Sequence, residues 1–406
     1  MIVRLPWLAF FAIYLPTCYL GAILSLLPGD WISIHVPGLT QRDVRVVLIL
    51  LHVPPALLWM AAEVSFRSLS RRWPRREPGG TLDHEPPLLG WLVFFAALAV
   101  AGWSLHRADA LSFLGAWSNH ATYLAARRHV IARLTFFEFV NLYTVLPLVG
   151  AYVVLVQKRR WWATVLVASL IGLAQYPLAQ RRVLLTSALL MGAACYVHAF
   201  VGSARIRGER GRPLRTVLGG AVALYAFFVI LSLQWSPLAG ATSDLLKRYA
   251  VSAIEYAVVF PRILPYYHVD LGLDILGIGR MPDDSIQVPQ VWEPGSTYTV
   301  SVPFHFVLYS QGGVLVALAG SVILGAVLGA SWAAVLAEPH LMATRSLLGA
   351  LVILFGAFLA MDSVRNAVTA SYGLAWGVLM VAGLHVASRL WPSAAATPGG
   401  SDGWGH

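Results

Sequence analysis

Two adjacent arginines, Arg181 and Arg182, stand in the stretch LAQYPLAQRRVLLTSALL (residues 173–190), between two runs apolar enough for lipid. A guanidinium is permanently charged and meets phosphate through two parallel hydrogen bonds, a geometry lysine does not match. A fixed charge at the edge of a bilayer is costly unless it is paired or used. Residues 161–203 contain no Asp or Glu that could pair with it. The pair therefore points to an anion. Pyrophosphate fits such a site, because positive charge stabilises it as it leaves.

A second set of residues could complete that chemistry. His305, in SVPFHFVLYSQGG, is a candidate general base toward a sugar hydroxyl, since imidazole titrates near neutrality. Glu255 is the competing base, and Arg248, Arg262 and Arg280 are further candidates for holding phosphate. Gly312 and Gly313 read as sites of close helix packing. His52, Glu138 and His198 fall in or near apolar runs and read first as hydrogen-bonding groups between helices. No Asp-x-Asp pair, histidine cluster or nucleotide-binding glycine loop occurs, so neither a catalytic metal nor a cofactor is expected.

The elements that position these residues are membrane helices. Charged residues make up 12% of the chain, half of the roughly 25% usual in soluble domains. With 58% hydrophobic residues, the 406-residue chain reads as an all-α, polytopic membrane bundle, a single unit over 1–406. Two cysteines, Cys18 and Cys195, lie inside apolar runs and offer no disulfide framework. Apolar runs near 5–28, 46–64, 88–105, 135–156, 161–180, 183–203, 216–238, 305–334, 346–364 and 367–388 are each about long enough to span, giving about 10–12 helices with short extras. The run 305–334 is long and glycine-rich, which predicts a tilted or broken helix.

Orientation follows the basic loops. Segments 65–87, 157–160 and 204–215 are arginine-rich and fall on one side, which sets that side and both termini in the cytoplasm, with 389–406 a disordered cytoplasmic tail. Roughly half of the 29 lysines and arginines then fall on the opposite side, including Arg181, Arg182 and Arg365 in tight turns. The long segment 239–304 is also on that outer side. Within it, DLLKRYAVSAIEYAVVFPRIL (244–264) alternates apolar and polar groups at near-helical spacing, as in a helix lying over a cavity. The glycine- and proline-rich remainder is a candidate substrate cover.

This layout resembles the O-antigen polymerase and ligase superfamily, integral membrane glycosyltransferases of the GT-C type. The residues that carry the likeness are the arginine-bearing outer turn, the long outer loop, and a histidine opening a glycine-bearing span. Polymerases of that family have an outer arginine followed by ten residues and a glycine, a spacing that Arg181 and Gly192 share. Its ligases have a histidine at a glycine-rich span start, to which HFVLYSQGG is similar, with shorter spacing and no adjacent asparagine-like residue. The second arginine of the family corresponds to Arg248, Arg262 or Arg280.

The resemblance implies metal-independent, inverting glycosyl transfer between undecaprenyl-pyrophosphate-linked oligosaccharides at the periplasmic face of the bacterial inner membrane. The products would be O-antigen, exopolysaccharide or capsule chains. The partners implied are lipid-linked glycans, membrane lipids and a chain-length regulator protein, with no nucleic acid. The alternatives are a ligase that transfers finished glycan to lipid A core and a transporter of the same lipid-linked glycans.

Overall fold

The computed structural model describes residues 5–26, 40–73, 86–113, 129–130, 132–157, 160–178, 181–201, 303–337, 343–361 and 373–390. Among them nearly all residues are helical and none is in a strand. The elements are α1 (Leu5–Tyr14), α2 (Leu20–Leu26), α3 (Gln41–Arg72), α4 (Pro87–Arg107), α5 (Phe136–Val140), α6 (Leu146–Val156), α7 (Trp161–Gln175), α8 (Arg181–Tyr196), α9 (Phe304–Leu336), α10 (Ala343–Leu359) and α11 (Leu374–Leu390). π-Helical turns join α1 to α2 (Leu15–Tyr19) and α5 to α6 (Asn141–Val145), and another extends α8 (Val197–Val201).

Local sequence explains the starts and irregularities. Thr40 and Asp43 cap α3 reciprocally, and Thr135 and Glu138 cap α5 in the same way. Each pair satisfies backbone N–H groups that a helix start leaves open. Pro16 lies in the first π-turn and Pro147 just beyond the second. A ring without an N–H breaks the regular ladder and favours such bulges.

Five described helical stretches are long and apolar enough to cross a membrane: Gln41–Arg72, Pro87–Arg107, Phe136–Val156, Trp161–Leu178 and Gly312–Leu336. Leu5–Tyr14, Thr186–Ala199, Ala343–Leu359 and Leu374–Leu390 are shorter apolar helices. The outer surface agrees with a lipid setting, since Leu173 and Leu315 expose 71% and 79% of their area. Every residue of α6 from Leu146 to Leu155 is buried, which makes it a central strut.

Side-chain contacts give the helix directions. Gly90 of α4 meets Tyr152 and Val153 of α6, while Asn141, just before α6, donates to Ala97 O of α4, so these helices run antiparallel. Val197 and His198, in the π-helical turn that extends α8, meet Gly349 and Ser346 near the start of α10. The main body of α9 runs parallel to α3. A β-carbon added at Gly325 or Gly329 would overlap the carbonyl oxygens of Leu58 and Ala62. Glycine permits this backbone approach, and dispersion and weak polar contacts then hold the pair.

The eighth run is broken, one of the two outcomes its length and glycines predict, and His305 does not open the span. Gly312 (φ −150°, ψ 17°) and Gly313 (φ 75°, ψ −169°) break α9 into a short first segment and a main helix. Leu308 lies against Gly320, although twelve residues of straight helix would separate them by about 18 Å. The first segment therefore folds back beside the main helix, and the span begins at Gly312. The glycine pair makes a turn rather than a packing face. Residues 216–238, the segment 239–304 and the tail beyond Leu390 lie outside the described residues.

Candidate functional site

Arg181 and Arg182 are the first two residues of α8. A short turn, Tyr176–Leu178, ends α7 just before them, as the sequence suggests. The start of a helix carries free N–H groups and the positive end of the helix dipole. The first turn of α8 contains no acidic residue to offset it.

Polar contacts fix the neighbourhood of this turn. Gln175 Nε2 donates to Leu142 O at 2.7 Å, and the Gln175 amide also bonds Ser187 Oγ at 2.8–2.9 Å. Both side chains are buried, so α7, α8 and the turn before α6 are held in one register. Arg107, at the end of α4, donates to the carbonyl of Arg133 at 2.9 Å and pairs with Glu138. Glu138 is thereby engaged twice, as a cap for Thr135 and as a partner for Arg107.

His305 lies in the interior, not at the mouth of a span. It is fully buried on the folded-back segment, with its ring 5.5 Å from Tyr14, 5.2 Å from Phe304 and 4.7 Å from Phe306. Among the described residues neither ring nitrogen has a hydrogen-bond partner. A buried imidazole left this way costs about 1–3 kcal/mol relative to a satisfied one. Such a group in a native fold calls for an explanation, and a polar substrate group is one. Tyr14 also lines an aromatic groove of about 400 Å³ between α1 and α3, with Phe11, Tyr19, His52 and Trp59.

The candidates do not form one visible cluster. α8 packs on α6, α7 and α10, whereas the segment bearing His305 meets α1; α10 touches both α1 and α8. Glu255, Arg248, Arg262 and Arg280 lie outside the described residues. His52 bonds Leu48 O at 2.8 Å and Tyr19 at 3.1 Å, and His198 bonds Ser346 at 3.1 Å, so both serve as polar ties. Among the described residues no group of three or more His, Cys, Asp or Glu is arranged to hold a metal ion. Tyr14 was not legible as a neighbour of His305, because only the fold brings two residues so distant in sequence together.

No protein-family model matches the chain, and comparison with curated proteins and with solved structures likewise finds no match. What the chain is rests on its own residues: among those described, a helical protein with five helices able to cross a membrane.

Proposed function

We propose that the chain is a polymerase of undecaprenyl-pyrophosphate-linked oligosaccharide repeat units, working at the periplasmic face of the bacterial inner membrane with both termini in the cytoplasm. The observation that supports it is the doubled arginine at the first two residues of α8, in a turn with no acidic counterpart. Arg181 or Arg182, with one of Arg248, Arg262 and Arg280, holds the donor pyrophosphate and stabilises it as it departs.

The acceptor hydroxyl oxygen attacks the anomeric carbon of the donor sugar. The bond from that carbon to the pyrophosphate oxygen breaks with its electron pair, and direct displacement inverts the configuration. The hydroxyl proton passes to His305 or Glu255. His305 is buried beside Tyr14, so in this role the folded-back segment shifts to admit the acceptor. The segment 239–304 covers the reacting groups and keeps out water, which would otherwise hydrolyse the activated glycan.

The test uses purified protein in nanodiscs with undecaprenyl-pyrophosphate repeat units, and products resolved on a gel. A ladder of lengthening glycans supports the proposal. Absence of a ladder, with transfer once lipid A core is supplied, identifies a ligase instead. No product in either assay, with glycan movement across vesicles, identifies a transporter.

A further inference from the structure

A groove of about 730 Å³ runs between α9, α10 and α11 at the end of the bundle where α9 stops and α10 begins. Its walls are mostly apolar, from Val327, Val352, Phe355 and Val378, but its polar groups gather at one end. There Ser331, Thr344, Arg345 and His385 line it, with Thr344 Oγ1 3.3 Å from His385 Nδ1. From His385 back to Leu374 the groove follows α11 for about 16 Å. Half of a hydrocarbon core of about 30 Å is nearly the same length.

A groove with one guanidinium at its mouth and one leaflet's depth of apolar wall matches an amphiphile with a phosphate head and a short hydrocarbon tail. The surrounding charge has the same sense. Arg389, in the last turn of α11, and Arg71 and Arg72, which end α3 alongside α9, lie at this end of the bundle. We propose that this groove holds one anionic glycerophospholipid, its phosphate at Arg345 and its acyl chains along α11. A polyprenyl chain is several times longer than one leaflet, whereas the described groove walls from His385 to Leu374 span about 16 Å. The site is separate from the glycan chemistry above and does not depend on it.

Native mass spectrometry after reconstitution in vesicles of equal phosphatidylglycerol and phosphatidylcholine tests this on the full-length protein. Wild type is expected to retain phosphatidylglycerol over phosphatidylcholine by about fivefold: both lipids carry the phosphate, but phosphatidylcholine also brings a choline cation up against Arg345, a charge difference worth about 1 kcal/mol. Arg345→Gln is expected to abolish that preference, and Arg345→Lys, which keeps the charge, to restore part of it. Ala382→Trp, which fills the groove, is expected to lower retention of both lipids. Equal retention of the two lipids by wild type, or an undiminished preference in Arg345→Gln, would overturn the proposal. So would preferential retention of added undecaprenyl phosphate, or photo-crosslinks from position 382 to the chain itself rather than to lipid.

Discussion

Tyr14 donates its hydroxyl to the carbonyl oxygen of Leu51 at 2.7 Å. Leu51 sits four residues before Pro55, inside α3, and proline has no N–H to give it. The same arrangement recurs at Leu142. The N–H of Leu146 bonds Asn141 O in π-helical register, the next donor in that register would be Pro147, and Gln175 supplies the missing hydrogen bond. In each of these two helices a neighbouring helix lends a side-chain donor to a carbonyl that proline leaves without one, Leu51 O in α3 and Leu142 O before α6.

This relationship predicts coupling. Tyr14→Phe should destabilise the protein by about 1 kcal/mol, the usual worth of a buried hydrogen bond. In a Pro55→Ala background the restored N–H satisfies Leu51, so the same change should cost almost nothing. Denaturant unfolding in detergent across the four proteins measures the cycle. An equal cost in both backgrounds would remove proline from the explanation.

Gly313 carries the turn that folds the first segment of α9 back on itself. Its φ of 75° with ψ of −169° lies in a region open essentially to glycine alone. Gly313→Ala should lower stability by about 1–3 kcal/mol. Gly102→Ala, at an open helical position in α4 with no atom near its β-carbon, should instead gain up to about 1 kcal/mol. Thermal unfolding of both variants decides the matter, and similar shifts for the two would contradict the turn.

His305 invites a sharper separation of roles. Its ring is packed among Tyr14, Phe304 and Phe306 and makes no hydrogen bond among the described residues. Phenylalanine should therefore fill the space, with Tm nearly unchanged. If His305 accepts the acceptor's proton, His305→Phe should still reduce chain elongation by at least about a hundredfold. A well-folded variant with a normal ladder would leave the histidine a packing residue and move the base to Glu255.

Much of the helix arrangement was legible from apolar run length alone. The runs near 88–105, 135–156 and 161–180 correspond closely to α4, the stretch Phe136–Val156, and α7 with its terminal turn. The length and glycine content of the run 305–334 predict a tilted or broken helix but not where it breaks, because glycine is as acceptable in a packed membrane helix as in a turn. Only the backbone angles at Gly312 and Gly313 separate the two. His305 was expected at a surface for that reason and lies buried instead. Arg107 and Glu138 are far apart in sequence, and only the fold brings them together. The amphipathic groove was hidden as well, since Arg345 and His385 belong to different helices and their shared wall has no sequence signature.

The most direct test of the central claim is the length of glycan made by Arg181→Gln, by Arg182→Gln and by the double variant, each first checked for wild-type Tm. With lipid-linked repeat units as the only substrate, at least one single variant and the double variant should lose the ladder. Lysine at the decisive position should recover only part of it, because an ammonium does not reproduce the bidentate contact. A full ladder from the folded double variant would contradict an arginine-held pyrophosphate at the start of α8.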